Sequence, residues 1–155
     1  MATTFDRCDP ITKTLFDAKK KAKVSFEDLG KQMGRDEVWV AALFYGQAKP
    51  ESKDLQTLSK VLSIPLEQLD DAYGEHFYPD RAKLIENPPR DPLIYRLYEI
   101  VGVLGYPFKS VIAEKFGDGI MSAISFSTHV DREEDDKGTW VVIKLRGKWL
   151  PYTRY

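Results

Sequence analysis

Cysteine and histidine are scarce in this sequence, which contains one Cys, Cys8, and two His, His76 and His129. A single thiol excludes an intramolecular disulfide, which fits a reducing compartment and favours a cytoplasmic protein. So few soft ligands argue against a zinc site built within one chain. Because no His is near Cys8 in the sequence, we interpret it as an exposed bystander thiol rather than a nucleophile. Neither His belongs to a motif, so no acid–base role is expected for them.

Long apolar runs and an excess of one charge are missing as well. No run approaches the length of a membrane span, and residues 1–9 lack the basic head and apolar stretch of a secretory signal. The 155 residues include 23 basic and 24 acidic side chains, for a formal net charge of -1. This balance gives no electrostatic reason to expect a nucleic-acid or membrane partner. The remaining composition is that of an ordinary globular protein.

The first 75 residues predict a bundle of five short helices, because apolar residues recur at helical spacing between turn residues. Ser25 with Asp28 three residues later has the pattern of a capping box at a helix start. Gly34 stands where a left-handed residue would end that helix. The expected helices cover residues 12–21, 25–33, 36–44, 52–62 and a last one that begins at 65.

Helices 25–33 and 36–44 have the layout of a repressor helix-turn-helix. The second helix of such a motif enters the major groove, but here it begins with Asp36 and Glu37, whose carboxylates would repel phosphates. DNA binding is therefore disfavoured, and we interpret the basic run 19–23 as a solvated face. The expected use of this module is protein–protein packing. Its candidate contact residues are Trp39, Phe44 and Tyr45.

The composition divides the chain into a helical domain (1–75), a proline-rich linker or arm (76–90) and a smaller domain (91–155). The predicted fold class is α+β: an N-terminal five-helix, repressor-like bundle followed by a small C-terminal α+β domain for oligomerisation and catalysis. A unit of about 65 residues buries little core alone, so it often borrows the surface of a partner. An oligomer is expected for that reason.

Within the C-terminal domain the sequence predicts helix first and strands afterwards. Asp91-Pro92 has the pattern of an N-cap followed by a first helical proline, and this helix is expected to end near Leu104. A second, short helix is expected from Pro107. The predicted strands cover residues 120–130 and 139–145, with a charged loop over 131–138 and a tight turn at Arg146-Gly147 before 148–152.

Two groups of residues in this domain could perform chemistry. Arg96 and Glu99 are three residues apart, which makes them neighbours on a helix surface. Spacing alone favours an ordinary exposed ion pair. Gly117-Asp118-Gly119 precedes Ser122 at the helix-to-strand junction and is typical of a plain turn. Alternatively, the glycines let a ligand approach backbone N–H groups, with the Ser122 hydroxyl as a further donor.

Three motifs of the C-terminal domain occur in order. They are Asp91-Pro92 with Tyr95-Arg96-Leu97-Tyr98-Glu99, then Glu114-Lys115-Phe116-Gly117-Asp118-Gly119-Ile120-Met121-Ser122-Ala123-Ile124, then Gly147-Lys148-Trp149-Leu150-Pro151. Through these motifs, residues 91–155 resemble the cyanase (cyanate hydratase, cyanate lyase) family. The N-terminal half is similar to that family only in its helical layout, and in the family this repressor-like domain does not serve DNA binding.

The resemblance implies an activity and a catalytic set. Catalytic Arg, Glu and Ser of the family fall on Arg96, Glu99 and Ser122. The implied reaction consumes cyanate and bicarbonate by way of carbamate, with bicarbonate as co-substrate and no metal or organic cofactor. The implied assembly is a homodecamer, dimers gathered into a ring, with active sites shared among subunits. Ser125 departs from the family, whose members often have an amide or acidic residue there.

Two other classes stay open on the sequence alone. One is a transcription regulator, on the helix-turn-helix layout. The other is a non-catalytic interaction protein with the same fold.

Overall fold

The computed structural model describes residues 3–155, and the chain divides into two units, one ending at Leu84 and the other spanning Ile85–Tyr155. The first unit is helical, and the second combines one helix with an antiparallel pair of strands. The predicted α+β class is therefore confirmed. No helix in the described part of the chain is long and apolar enough to cross a bilayer.

The first unit contains the five predicted helices, preceded by one 3-10 turn. The capping box exists: Ser25 Oγ accepts a 3.0 Å hydrogen bond from the N–H of Asp28, whose Oδ2 accepts one of 2.9 Å from the N–H of Ser25. Gly34 follows the same helix in the left-handed conformation, as predicted. The helices are α1 (Pro10–Ala22), α2 (Phe26–Met33), α3 (Glu37–Phe44), α4 (Ser52–Leu62) and α5 (Leu66–Tyr73).

The core of this unit is formed by leucines and aromatic rings from all five helices. Phe44 is fully buried and meets the rings of Phe16 and Phe26 edge to face. The prediction that Phe44 contacts a partner is therefore wrong, because the inward face of α3 carries it together with Val40. The buried apolar side chains are Leu15, Leu29, Met33, Val40, Leu43, Phe44, Ala48, Leu55, Leu58, Leu62, Ile64, Leu69 and Tyr73.

An ion pair between Arg35 and Asp54 connects the turn between α2 and α3 to helix α4. Asp54 is fully buried and accepts hydrogen bonds of 3.0 Å from both Nε and Nη2 of Arg35, and one of 2.8 Å from the N–H of Glu51. Hydrogen bonding to Asp54 raises the pKa of Arg35. The arginine in the helix-turn-helix turn is thus engaged by carboxylates of its own chain.

The segment after α5 packs on the first unit. Lys49 Nζ donates a 2.7 Å hydrogen bond to the carbonyl of Phe77, and the Phe77 ring meets Tyr73 edge to face. Farther along, Lys83 forms a 2.7 Å ion pair with Asp9. Residues 74–83 are therefore held by specific contacts.

The second unit begins with one long helix, α6 (Pro92–Phe116). Asp91 Oδ1 caps it by accepting hydrogen bonds from the N–H groups of Leu93 (2.9 Å) and Ile94 (3.0 Å). The helix continues through Pro107, so the predicted break there is wrong. Pro107 removes one backbone hydrogen bond, and the helical hydrogen bonds on either side of it carry the helix past this position.

The strands are β1 (Gly119–Asp135) and β2 (Gly138–Pro151), paired as an antiparallel hairpin. The charged loop predicted over 131–138 is wrong, because Asp135 pairs with Gly138 and the turn is only Asp136-Lys137. Asp135 Oδ1 accepts a 2.8 Å hydrogen bond from the Lys137 N–H, and Gly138 adopts a φ of 139°. These local contacts let charged residues continue both strands to the tip.

The second unit has almost no interior of its own. Along α6, all of whose residues the structure describes, no side chain is buried. From residue 85 onward Ser122 alone is buried among the described residues. The exposed apolar side chains of α6 include Leu93, Ile94, Leu97, Ile100, Val101, Val103, Leu104, Phe108 and Val111.

Candidate active site

Arg96 and Glu99 on α6 form the side-chain contact that their spacing predicts. Nη1 of Arg96 donates a 2.7 Å hydrogen bond to Oε2 of Glu99, one helical turn later. The Arg96 side chain is 70% exposed and the Glu99 side chain 47% exposed. Hydrogen bonding to Glu99 raises the pKa of Arg96, so its positive charge persists at all physiological pH. Because Nη1 faces Glu99, the other edges of the guanidinium remain open to solvent.

Ser122 lies in an irregular part of β1. Its Oγ accepts two backbone hydrogen bonds, from the N–H of Ile124 (3.1 Å) and from the N–H of Ser125 (2.9 Å). Ser122 is only 7% exposed, whereas Ile124 is 96% exposed. A hydroxyl that accepts two N–H groups retains its own proton to donate, which makes Ser122 a fixed hydrogen-bond donor.

The Gly117-Asp118-Gly119 motif forms the junction between α6 and β1. The carbonyl of Asp118 accepts a 3.1 Å hydrogen bond from the Tyr152 N–H. A Cβ at Gly119 would lie 2.5 Å from the carbonyl oxygen of Leu150 and 2.6 Å from Cζ2 of Trp149. The space on this side of Gly119 is therefore filled by β2. All three residues of the motif also line an open groove at the end of α6, so the turn and the ligand-approach interpretations both stay open.

An open groove lies between the end of α6 and the base of the hairpin. Phe108, Ile112, Met121 and Trp149 line it together with the aliphatic stem of Lys109. The ring of Trp149 lies 5.3 Å from that of Phe116, which fixes one wall. None of the three predicted catalytic residues lines this groove. Among residues 3–155, no three His, Cys, Asp or Glu side chains come together in a group that could hold a metal ion.

Within one chain Arg96 contacts Glu99 near the start of α6, whereas Ser122 lies on β1, which follows the other end of that helix. In the described part of the chain, Arg96 bonds to Glu99, and the hydrogen bonds of Ser122 go to its own strand. The three side chains offer a fixed cation, its carboxylate partner and a fixed donor. One chain alone does not present them as a single site.

The sequence interpretation missed one residue beside Ser122. Gly147 is not part of a tight turn but a residue of β2 that pairs with Phe126. The Val- and Ile-rich residues before Gly147 are a signal that the strand continues. The Arg146-Gly147 pair gives the competing signal of a tight turn.

Comparison with known proteins adds two findings. The sequence profile of the family described as the cyanate lyase C-terminal domain matches residues 86–154. The crystal structure of cyanase from T. urticae is similar to this chain, with a TM-score of 0.74 and 27% sequence identity. That similarity covers 92% of this chain and 97% of the other. The profile match includes Arg96, Glu99 and Ser122, whereas the structural match extends over both units.

Proposed function

We propose that this chain, whose residues 86–154 match the cyanate lyase C-terminal domain, is a cyanase-type lyase that catalyses the bicarbonate-dependent decomposition of cyanate. Bicarbonate attacks the cyanate carbon, and loss of one carbon dioxide leaves carbamate. Carbamate then separates into ammonia and a second carbon dioxide. Cyanate, bicarbonate and two protons thus give one ammonia and two carbon dioxide molecules, so the reaction balances without a metal or organic cofactor. The match of residues 86–154, which contain all three proposed catalytic residues, carries this proposal.

The main physical obstacle is that both reactants are anions. In the proposed mechanism Arg96 binds them, because a guanidinium stays protonated and presents a planar fork to a carboxylate-like group. The open edges of Arg96 beyond its bond to Glu99 support this role. A lysine could supply the charge but not the fork.

Glu99 orients Arg96 in this mechanism rather than contacting the substrates, which it would repel. The 2.7 Å bond through Nη1 supports that assignment, since it fixes the rotation of the guanidinium on α6. Exposed ion pairs contribute little to stability, so the expected benefit of this pair is geometric.

Ser122 donates a hydrogen bond to the negative charge that develops on the reacting oxygens. Two backbone N–H groups occupy its oxygen, which supports a donor role and disfavours its use as an acceptor. Its burial excludes competing water, and a hydrogen bond is electrostatically stronger in such surroundings.

The active protein in this proposal is a homodecamer assembled from dimers, with active sites shared among subunits. One Arg96 per chain must face two anions, and a site at a symmetry interface would supply it more than once. The uncovered apolar side chains of α6 support assembly, because a small unit without a core needs partner surface. Shared sites would also unite Ser122 of one chain with Arg96 of another.

The decisive experiment measures ammonia release from cyanate by the purified protein, with bicarbonate present and after its removal. Ammonia that appears only with bicarbonate supports the proposal. No ammonia under either condition would favour a non-catalytic interaction protein. A gel-shift assay with mixed genomic DNA tests the regulator alternative, for which we expect no shift at physiological salt.

A further inference from the structure

The region around Ser122 is a large bulge in an otherwise regular hairpin. Met121 pairs with Trp149, and the next pair is Phe126 with Gly147. Residues 122–125 of β1 therefore face the single residue Lys148 of β2. Bulges of this kind redirect side chains and are frequent beside active sites.

Gly147 closes one side of this bulge by contact with Ser122. A Cβ at Gly147 would lie 2.3 Å from the carbonyl oxygen of Ser122, and 2.6 Å from Cγ of Met121. Both distances are far below van der Waals contact, and one of them involves backbone. Gly147 is not among the glycines with a left-handed backbone. Its missing side chain, rather than an unusual conformation, is what the position requires.

We propose that Gly147 is a positioning residue that sets the place of the Ser122 hydroxyl by letting β2 lie against the Ser122 carbonyl. This inference rests on the proposed function in assigning Ser122 to the reaction. The bulge has two supports, the bonds from the Ile124 and Ser125 N–H groups to Oγ, and the close approach of Gly147 to the same residue. A side chain at position 147 would collide with the carbonyl of Ser122. To relieve this collision, either Ser122 moves away from the N–H groups of Ile124 and Ser125, or β2 moves away from Ser122.

A direct test uses Gly147→Ala and amide hydrogen exchange, read by mass spectrometry with fragmentation to single amides. We expect the amides of Ile124 and Ser125 to exchange about tenfold faster or more, because their acceptor has moved. This readout does not depend on catalysis. Unchanged exchange at both amides would overturn the proposal.

The matched control is Gly138→Ala at the tip of the same hairpin. Gly138 has a φ of 139° and open space at its Cβ, so this substitution strains the hairpin without touching Ser122. We expect it to leave both Ser122-bound amides protected. Equal deprotection in both variants would mean that general damage to the hairpin, not Gly147, explains the effect, and would overturn the proposal.

A double-mutant cycle tests the catalytic consequence through ammonia release. Gly147→Ala should lower kcat by about 100-fold, as expected for displacement of a catalytic group by about an ångström. Combined with Ser122→Ala it should cost no more than Ser122→Ala alone, since both changes remove the same donor. Additive losses would contradict action through Ser122. If Ser122→Ala is fully active while Gly147→Ala deprotects the two amides, the positioning stands and the assigned role of Ser122 fails.

A second variant covers the case in which Gly147→Ala does not fold. Gly147→Ala with Met121→Ala removes the crowded methionine side chain and leaves only the contact with the Ser122 carbonyl. We expect a folded protein with the same loss of kcat and the same deprotection. Wild-type kcat in this variant would overturn the proposal, because it would show that crowding of Met121 was the whole effect.

Discussion

Arg96 holds Glu99 through a single guanidinium nitrogen, Nη1, at 2.7 Å, so the remaining N–H groups of the fork point away from the carboxylate. An arginine used only for an ion pair could offer both nitrogens of one edge to its partner, as Arg35 does toward Asp54 through Nε and Nη2. Arg96 and Arg35 thus show two arrangements. In the first, one guanidinium nitrogen holds the carboxylate, and in the second, Nε and Nη2 hold it together.

Arg96→Lys is expected to lower kcat/KM for cyanate by about 100-fold or more while the assembly persists, because an ammonium supplies charge without the fork. The measurement is ammonia release with bicarbonate, beside light scattering for size. Arg132→Lys is the matched control, since Arg132 pairs with Glu134 near the hairpin tip. Wild-type rates for Arg96→Lys would reject the fork argument.

Glu99→Gln is expected to lower kcat by about tenfold, because the neutral amide holds the guanidinium less firmly in one rotation. The effect on KM should be smaller, since removing a carboxylate also removes repulsion of the anions. In the Arg96→Lys background the same change should have little further effect. An equal loss in both backgrounds would indicate that Glu99 acts independently of Arg96.

Ser122→Ala is expected to abolish most activity and to cost about 0.5–1.5 kcal/mol of unfolding free energy, because the N–H groups of Ile124 and Ser125 exchange the Ser122 oxygen for water. Activity is measured as ammonia release and stability by urea unfolding. Ser127→Ala on the same strand, where the side chain is exposed, serves as control and should change neither. Full activity of Ser122→Ala would remove this residue from the mechanism.

Assembly and turnover should be lost together when charge is placed on α6. Leu104 and Val111 lie seven residues apart on one face, and both are exposed in the single chain. Leu104→Asp with Val111→Asp should give monomers without activity, measured by light scattering and ammonia release. Leu66→Asp on α5 introduces the same charge on the other unit and should change neither. A monomeric double variant with normal turnover would contradict shared active sites.

The buried pair in the first unit gives a prediction about stability alone. Arg35→Met should cost about 3–5 kcal/mol, because it leaves the fully buried Asp54 without its counter-charge. Arg35→Met with Asp54→Leu should recover much of that loss, since it replaces both charges by apolar groups. Urea unfolding followed by circular dichroism measures both. Equal stability of the single and double variants would show that Asp54 carries no uncompensated charge.

The helix boundaries of the first unit are well predicted from the sequence, because the signals that set them lie within a few neighbouring residues. The Ser25–Asp28 capping box and the left-handed Gly34 depend on residues within one helical turn, and the structure has both. The same is true of Asp91 at the start of α6. Apolar spacing then predicted the five helices, but Phe44 shows that an aromatic residue at a helix end can be assigned to either face.

The hairpin was predicted poorly because its course depends on pairing between distant residues. Arg132 and Glu134 belong to a charged segment that is typical of a loop. Both nevertheless lie in β1, where their side chains are exposed to solvent, and polar side chains do not destabilise an exposed strand. The bulge at Ser122 requires the register with β2, which no local pattern contains. The contact of Arg96 with Glu99 was predictable, whereas the surroundings of Ser122 were not.

A unit in which one serine is the sole buried residue has a kinetic consequence. Helix α6 and the two-stranded hairpin bury little apolar surface within one chain, and isolated hairpins are marginal in water. Recovery of this unit from denaturant should therefore accelerate with chain concentration, because encounters between molecules limit it. The five-helix unit, with its own interior, should regain its structure at a rate that dilution leaves unchanged.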